Sequence, residues 1–252
     1  MPNEVHLWCV GPDGTLSELG RSALDMEARL QEWLARDISV LDRDLLVIGR
    51  EVETDFGGFI DLLCLNRAGD VVVVELKRDK TPREITAQVL DYGSWVVDLS
   101  NERITAIAET HLGEGALEES FRSKFGAELP ETLNGEHRLL VVGSSIDASS
   151  ERIITYLSDR HGVNINAATF QYFCGTDGSE FIARVYLIEP SQVELQSRTK
   201  GSSKRRPPQS HLRQAARTCR QCWRWRALSP RCCVFRGAAA EIHNEEFDRF
   251  RC

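Results

Sequence analysis

Gly57-Gly-Phe-Ile-Asp61-Leu-Leu-Cys-Leu-Asn66, the bend Arg67-Ala-Gly-Asp70, and Val71-Val-Val-Val-Glu75-Leu-Lys77-Arg78 form the stretch that decides the fold. Two β-type runs, 58–66 and 71–78, are joined by Asn, Gly and Asp, residues that favour tight turns. A bend centred on Ala68 sets Asn66 against Asp70 and therefore Asp61 against Glu75. The two carboxylates then project from one face of neighbouring strands, with Cβ atoms about 5 Å apart. Lys77 joins them on that face, and Leu76 points to the other. Opposed like charges at the end of an apolar run are unfavourable, and a divalent cation between them removes the repulsion. Carboxylate oxygens plus waters suit Mg2+ or Mn2+. Such an ion activates water and stabilises a pentacovalent phosphate, with Lys77 placed to orient the water or stabilise developing charge. A lone Glu-x-Lys would read as the polar end of a strand; Asp61 in facing register is what argues otherwise.

Upstream, Ser22 with Asp25 marks a capped helix start running to about Arg36, after a strand-like hairpin over 5–10 and 15–19. Leu24, Leu30 and Leu34 form the apolar stripe of that helix, and Glu27 falls inside it. A carboxylate in such a stripe needs a partner: a third acidic group at the metal, or a backbone group or Arg on the helix flank. Glu32 falls on the polar side. A further β-type run covers 45–54. Thr81-Pro82-Arg83-Glu84 opens a second helix, to about Leu99. On it Gln88 and Tyr92 share a face with Ile85 and Val89, placed either to contact a water or phosphate or to form a polar pair at the edge of the core. Arg78, Lys80 and Arg83 follow the acidic cluster and form a local basic rim suited to a phosphodiester backbone.

Farther on, a short strand is expected near 103–108, a helix near 115–126, a buried strand over 138–143, and a helix over 148–161. A hairpin of 163–173 with 180–189 turns at Gly175-Thr-Asp-Gly178. The expected body is a single α/β domain over residues 1–200, with a core at about 22–145. It has a mixed central sheet flanked by helices, an N-terminal hairpin and a C-terminal accessory hairpin.

The 252 residues are 42% hydrophobic and 27% charged, an ordinary globular composition with no apolar run long enough for a membrane helix. MPNEVHLWCV has no basic start before an apolar run, so no signal peptide and a cytoplasmic location are expected. Residues 201–252 hold 12 of the 31 Lys and Arg but 4 of the 38 Asp and Glu. The body therefore carries 19 basic and 34 acidic residues. It does not attract nucleic acid by bulk charge, and phosphate contacts must be local. The tail begins at a Ser/Lys/Arg/Pro linker, changes composition abruptly and reads as disordered. A genuine basic tail and a change of translation frame both account for it. It contains Cys219-x-x-Cys222, Cys232 and Cys233, with His211 and His243 nearby, a spacing that matches no common zinc finger. Trp223-Arg-Trp225-Arg can stack on bases but reads more simply as an exposed aromatic pair. Cys9, Cys64 and Cys174 read as reduced, buried residues.

Asp61 followed by Glu75-Leu76-Lys77 resembles the PD-(D/E)xK nuclease signature, with Ile60 where Pro commonly stands. The wider run adds Glu27-Ala-Arg-Leu30, Arg50-Glu-Val-Glu-Thr, Ile60-Asp-Leu-Leu, Val74-Glu-Leu-Lys-Arg, then Gln88 with Tyr92. Over about residues 22–100 it resembles the C-terminal nuclease domain of the NucS/EndoMS-type endonucleases. The resemblance implies a restriction-endonuclease-like αβββαβ core and metal-dependent cleavage of DNA. It implies catalytic roles for Asp61, Glu75 and Lys77, and supporting ones for Glu27, Gln88 and Tyr92. The metal would sit on Asp61, Glu75 and the Leu76 carbonyl. About 20 residues precede the first helix, so the separate DNA-binding and dimerisation domain of those enzymes is not expected, and mismatch specificity does not carry over. The expected function is a Mg2+-dependent endodeoxyribonuclease acting on DNA, with a homodimer admissible. A non-catalytic nuclease-fold binding or scaffold protein is the alternative, and RNA is not distinguished from DNA.

Overall fold

A computed structural model describes residues 5–22, 26–77, 82–175 and 177–201. Its strands are β1 (Trp8–Val10), β2 (Leu16–Glu18), β3 (Gly20–Ser22), β4 (Leu45–Glu53), β5 (Phe59–Asn66), β6 (Val71–Leu76), β7 (His137–Gly143), β8 (Ile165–Cys174) and β9 (Glu180–Tyr186). The helices are α1 (Met26–Arg36), α2 (Pro82–Val96), α3 (Asn101–Leu112), α4 (Leu117–Phe125), α5 (Ala148–His161) and α6 (Pro190–Gly201), with a short 3-10 turn at Ile38–Val40.

Seven strands make one mixed sheet in the order β3-β8-β7-β6-β5-β4, with β9 also paired to β8. β6, β7 and β8 run parallel, and the remaining pairs are antiparallel. The expected αβββαβ order is present as α1-β4-β5-β6-α2 and, after α3 and α4, β7. The valine run of β6 explains its central place. Val71 and Val73 enter one core with Val89, Trp95, Ile104 and Ile154 from the helices. Val72 and Val74 enter a second core, with Leu30 and Leu34 of α1. A strand buried on both faces reads as a continuous apolar run.

The bend between β5 and β6 is held by Asn66. Its side-chain oxygen accepts from the Ala68 and Asp70 N–H groups, each at 2.9 Å. Gly69 supplies the positive φ of 82° that the turn requires. These bonds fix the register, Leu65 against Val71 through Leu62 against Val74, as the turn chemistry predicts.

The sequence reading and the structure differ at four points. The first helix does not start at Ser22: the Ser22 backbone ends β3, opposite Tyr172 of β8, and α1 begins at Met26. The strand expected near 103–108 is part of α3. The Ser100 side chain accepts from the Arg103 N–H, and Ile104 and Ala108 are buried four residues apart. The run Ile-Thr-Ala-Ile looks β-like only if that cap and the four-residue spacing are ignored. Ser100→Ala is expected to lower stability by about 1 kcal/mol, read as a shift in the urea midpoint with an unchanged slope. Finally, α6 is a helix for which the sequence reading had no element. Cys64 is buried as expected, but Cys9 and Cys174 are exposed.

No described helix is long and apolar enough to cross a membrane. The tail features, including Cys219, Cys222, Cys232 and Cys233, lie outside the described residues.

Candidate active site

β5 and β6 stop pairing at Leu62 and Val74. The next residues along each strand are Asp61 and Glu75, so the turn register carries the two acids to the same level of the sheet. They do not stand side by side as a simple cross-strand pair. The Asp61 carboxylate reaches toward β6, where its Oδ2 accepts the Leu76 N–H at 2.7 Å. The Asp61 backbone N–H in turn donates to the Glu75 carboxylate. On the far side of β6, the Lys77 N–H donates to the Val142 carbonyl at 2.8 Å. β6 thus stays anchored to β7 while β5 leaves it, and the gap is filled by acid side chains.

Glu75 is 5% exposed, and its Oε2 is buried with no hydrogen-bond partner. A buried carboxylate oxygen without a donor is costly while charged. Burial pushes the Glu75 carboxyl up to about 8, the negative charge of Asp61 pushes the same way, and the Asp61 N–H opposes them. Asp61 is half-buried, as is Lys77. The Lys77 Cβ lies 3.5 Å from where a Cβ on Gly143 would be, so a bare glycine on β7 leaves room beside it.

Tyr92 of α2 closes the site from the helix side. It is buried, and its hydroxyl donates to the Phe59 carbonyl at 2.8 Å and accepts from Gln88 Nε2 at 2.8 Å. Its phenol is pushed up first by burial; the Gln88 bond opposes this, and the charges of Glu75 and Asp61 add to it. The structure therefore brings Asp61, Glu75, Gln88 and Tyr92 together, with Gln88 on the exposed rim. The Tyr92 hydroxyl is already committed to the start of β5. Glu27 lies in α1 and Arg83 in α2, but their side chains are not among those described, and Arg78 and Lys80 lie outside the described residues.

Two features near the site carry no assigned role in the sequence reading, although Glu51 belongs to the run Arg50-Glu-Val-Glu-Thr. Glu51 lies on β4 between Arg50, which pairs with Leu62, and Val52, which pairs with Ile60; it is thus level with Asp61. Its φ of 49° is left-handed, a conformation that costs a non-glycine residue on the order of 1 kcal/mol and is concentrated near functional sites. The second is the pair Phe56 and Phe59, 72% and 54% exposed at the entry to β5. Exposed aromatics carry no periodic signal, so a pattern search passes over them.

Among the described residues, no group of three or more His, Cys, Asp or Glu is arranged to hold a metal ion. The pair itself suits a hard cation: Glu75 offers a buried oxygen without a donor, and the Asp61 charge lies close enough to disfavour a second uncompensated charge.

Residues 26–106 match the model of a family described as the endonuclease NucS C-terminal domain. A repair endonuclease from Pyrococcus abyssi is a structural neighbour, with a TM-score of 0.32 and 16% sequence identity. The overlap covers 58% of this chain and 48% of that one, so this chain spans about half the length of that enzyme. No curated protein matches the chain. The matched stretch contains α1, β4, β5, β6 and α2, and with them Asp61, Glu75, Lys77, Gln88 and Tyr92. Over residues 26–106, this chain is similar to the C-terminal domain of the endonuclease NucS.

Proposed function

We propose that this chain is a divalent-metal-dependent endonuclease that hydrolyses DNA phosphodiester bonds. The observation that carries the reading is the buried Glu75 carboxylate, one oxygen without a donor, held beside Asp61 within the stretch that matches the NucS C-terminal domain. Asp61, Glu75 and the Leu76 carbonyl would hold Mg2+ or Mn2+, and Glu27 would reach it through water. When bound, the ion supplies an activated water and charge stabilisation at the phosphate.

The chain's own residues do the rest. The Leu76 N–H orients the Asp61 carboxylate, and the Asp61 N–H orients that of Glu75. The Lys77 ammonium stabilises the negative charge that develops on the phosphoryl oxygens. The water oxygen adds to phosphorus, the P–O3′ bond breaks, and a proton passes to the departing 3′ oxygen, which leaves a 5′-phosphate. Gln88 contacts the substrate phosphate or its water from the rim. Arg78, Lys80 and Arg83 contact the DNA backbone. Local contacts of this kind are required because the body is acidic.

The test is nicking of supercoiled and branched DNA with Mg2+ or with EDTA, by the parent chain and by Asp61→Ala. Cleavage is expected only from the parent with metal, and the variant is expected to lose at least about a thousandfold in rate. Equal cleavage by Asp61→Ala removes the assignment. A chain that cleaves nothing and binds no Mg2+ by calorimetry is a nuclease-fold binding protein instead.

A further inference from the structure

β9 is an edge of the sheet with its outer side open. Ala168 and Thr169 of β8 pair with β7 on one side and with β9 on the other, and residues 172–174 pair with β3 and β9 in the same way. Among the described residues, β9 is therefore paired along one side only. Two bonds at its ends fix the direction of its backbone groups. The Gly175 N–H donates to the Ser179 carbonyl, and the Leu187 N–H donates to the Ala167 carbonyl, each at 2.8 Å. The register between them is unbroken, from Tyr186 on Ala168 to Cys174 on Glu180. Successive residues of an antiparallel strand turn their N–H and C=O groups to opposite sides. The odd-numbered residues thus face β8, and those of Glu180, Ile182 and Arg184 aim outward.

The far edge of the sheet is protected. β4 has a register shift between Val47 and Gly49, a left-handed Glu51, and exposed charges at Arg50, Glu51 and Glu53. Bends and charges of this kind keep an edge from pairing. β9, Glu180-Phe-Ile-Ala-Arg-Val-Tyr186, has no shift, no Pro and no Lys, and its Phe181 and Ile182 are 42% and 38% exposed.

We infer that β9 pairs with β9 of a second copy of this chain, antiparallel and centred on Ile182, so that two sheets join across a two-fold axis. The outward groups restrict such a pairing to an even-numbered centre. Centring on Glu180 or on Arg184 sets like charges against each other. Centring on Ile182 sets Glu180 opposite Arg184 of the partner subunit, twice by symmetry, with about six backbone hydrogen bonds between the strands. Both side chains lie on the α1 side of the sheet, where Glu180 accepts from Arg29 at 2.7 Å and Arg184 donates to the Leu41 carbonyl, and both remain exposed. Ile182 meets Ile182 of the partner subunit on that face, and Phe181 covers Ala183 of the partner subunit on the other. The pairing uses up the open edge and leaves β4, which cannot continue it, so the assembly closes as a dimer. β9 lies outside residues 26–106, and the pairing does not depend on the nuclease reading.

The test is sedimentation equilibrium of the full chain over a series of concentrations. The parent is expected to form a reversible dimer with a Kd in the micromolar range, as a small interface allows. Glu180→Lys and Arg184→Glu, each alone, set like charges opposite and are expected to weaken the dimer by about tenfold or more. Mixed together, the two variants regain opposite charges at both positions, and the dimer is expected to return. Ile182→Lys, which places two ammonium groups at the centre, is expected to be monomeric. Thermal melts check folding, and Ile182→Lys carries the test if either charge variant fails to fold. A parent that stays monomeric overturns the pairing, and so does a dimer that persists in Ile182→Lys. Two folded charge variants that remain monomeric when mixed overturn the register and the inference with it.

Discussion

Glu75→Gln is expected to yield a chain that is inactive and, in alkaline buffer, more stable than its parent. Both results follow from one placement. The carboxyl is buried beside Asp61, with Oε2 lacking a donor, and is pushed up to about 8 from an ordinary 4.5. The folded chain therefore keeps a proton that the unfolded chain releases between those values. Stability linked to that proton is fully present below the unfolded value and is lost as pH rises through the folded one. Above pH 8 the metal-free parent must hold a buried charge, a cost on the order of a few kcal/mol. Glutamine has the same shape and never ionises, so it avoids that cost. Urea melts in EDTA are expected to show the two chains within about 1 kcal/mol of each other near pH 5 and the variant ahead by roughly 2–4 kcal/mol near pH 9. Nicking in Mg2+ should fall by about a thousandfold or more, because a neutral amide is a poor ligand for a hard cation. A variant that is less stable than the parent at both pH values would show that Glu75 is a structural acid with a partner of its own.

Lys77→Met is expected to lower the cleavage rate by about a hundredfold or more while leaving the fold and the affinity for Mn2+ nearly unchanged. The strand at this point is secured by the backbone, through the Lys77 N–H and the Val142 carbonyl, and not by the side chain. Methionine keeps the stem and removes the charge. The loss should appear in the turnover rate and not in the binding of DNA, since an ammonium acting on transition-state charge contributes little to ground-state affinity. Single-turnover kinetics beside calorimetric Mn2+ titration separates the two. Loss of Mn2+ binding with the charge would move Lys77 from the reaction to the support of the acids.

Much of the fold is legible because its signals are local. Asn66, Gly69 and Asp70 specify a bend, and the bend sets the register of β5 on β6 through its own hydrogen bonds. The valines of β6 announce burial on both faces. Pro82 opens α2, and α5 spans the expected 148–161. Errors arise where the deciding contact is distant. Ser22 looks like a cap by spacing, but Tyr172 of β8, far along the chain, draws it into the sheet. Residues 103–108 look β-like by composition, but burial of Ile104 and Ala108 beneath one helix face decides for α3.

The same division runs through the candidate site. The sequence alone established that Asp61 and Glu75 lie at one level of neighbouring strands, because a two-residue side-chain period and a turn of fixed length leave no other register. Only the tertiary structure decided what the acids do there. The ladder ends one residue short of them, Asp61 turns to the Leu76 N–H, and Glu75 is left with an oxygen that no donor reaches. It also decided that the Tyr92 hydroxyl is spent on the Phe59 carbonyl and that two phenylalanines face outward. The physical reason is range: turn geometry and strand alternation act over a few residues, whereas desolvation and hydrogen-bond saturation depend on groups that only folding brings together.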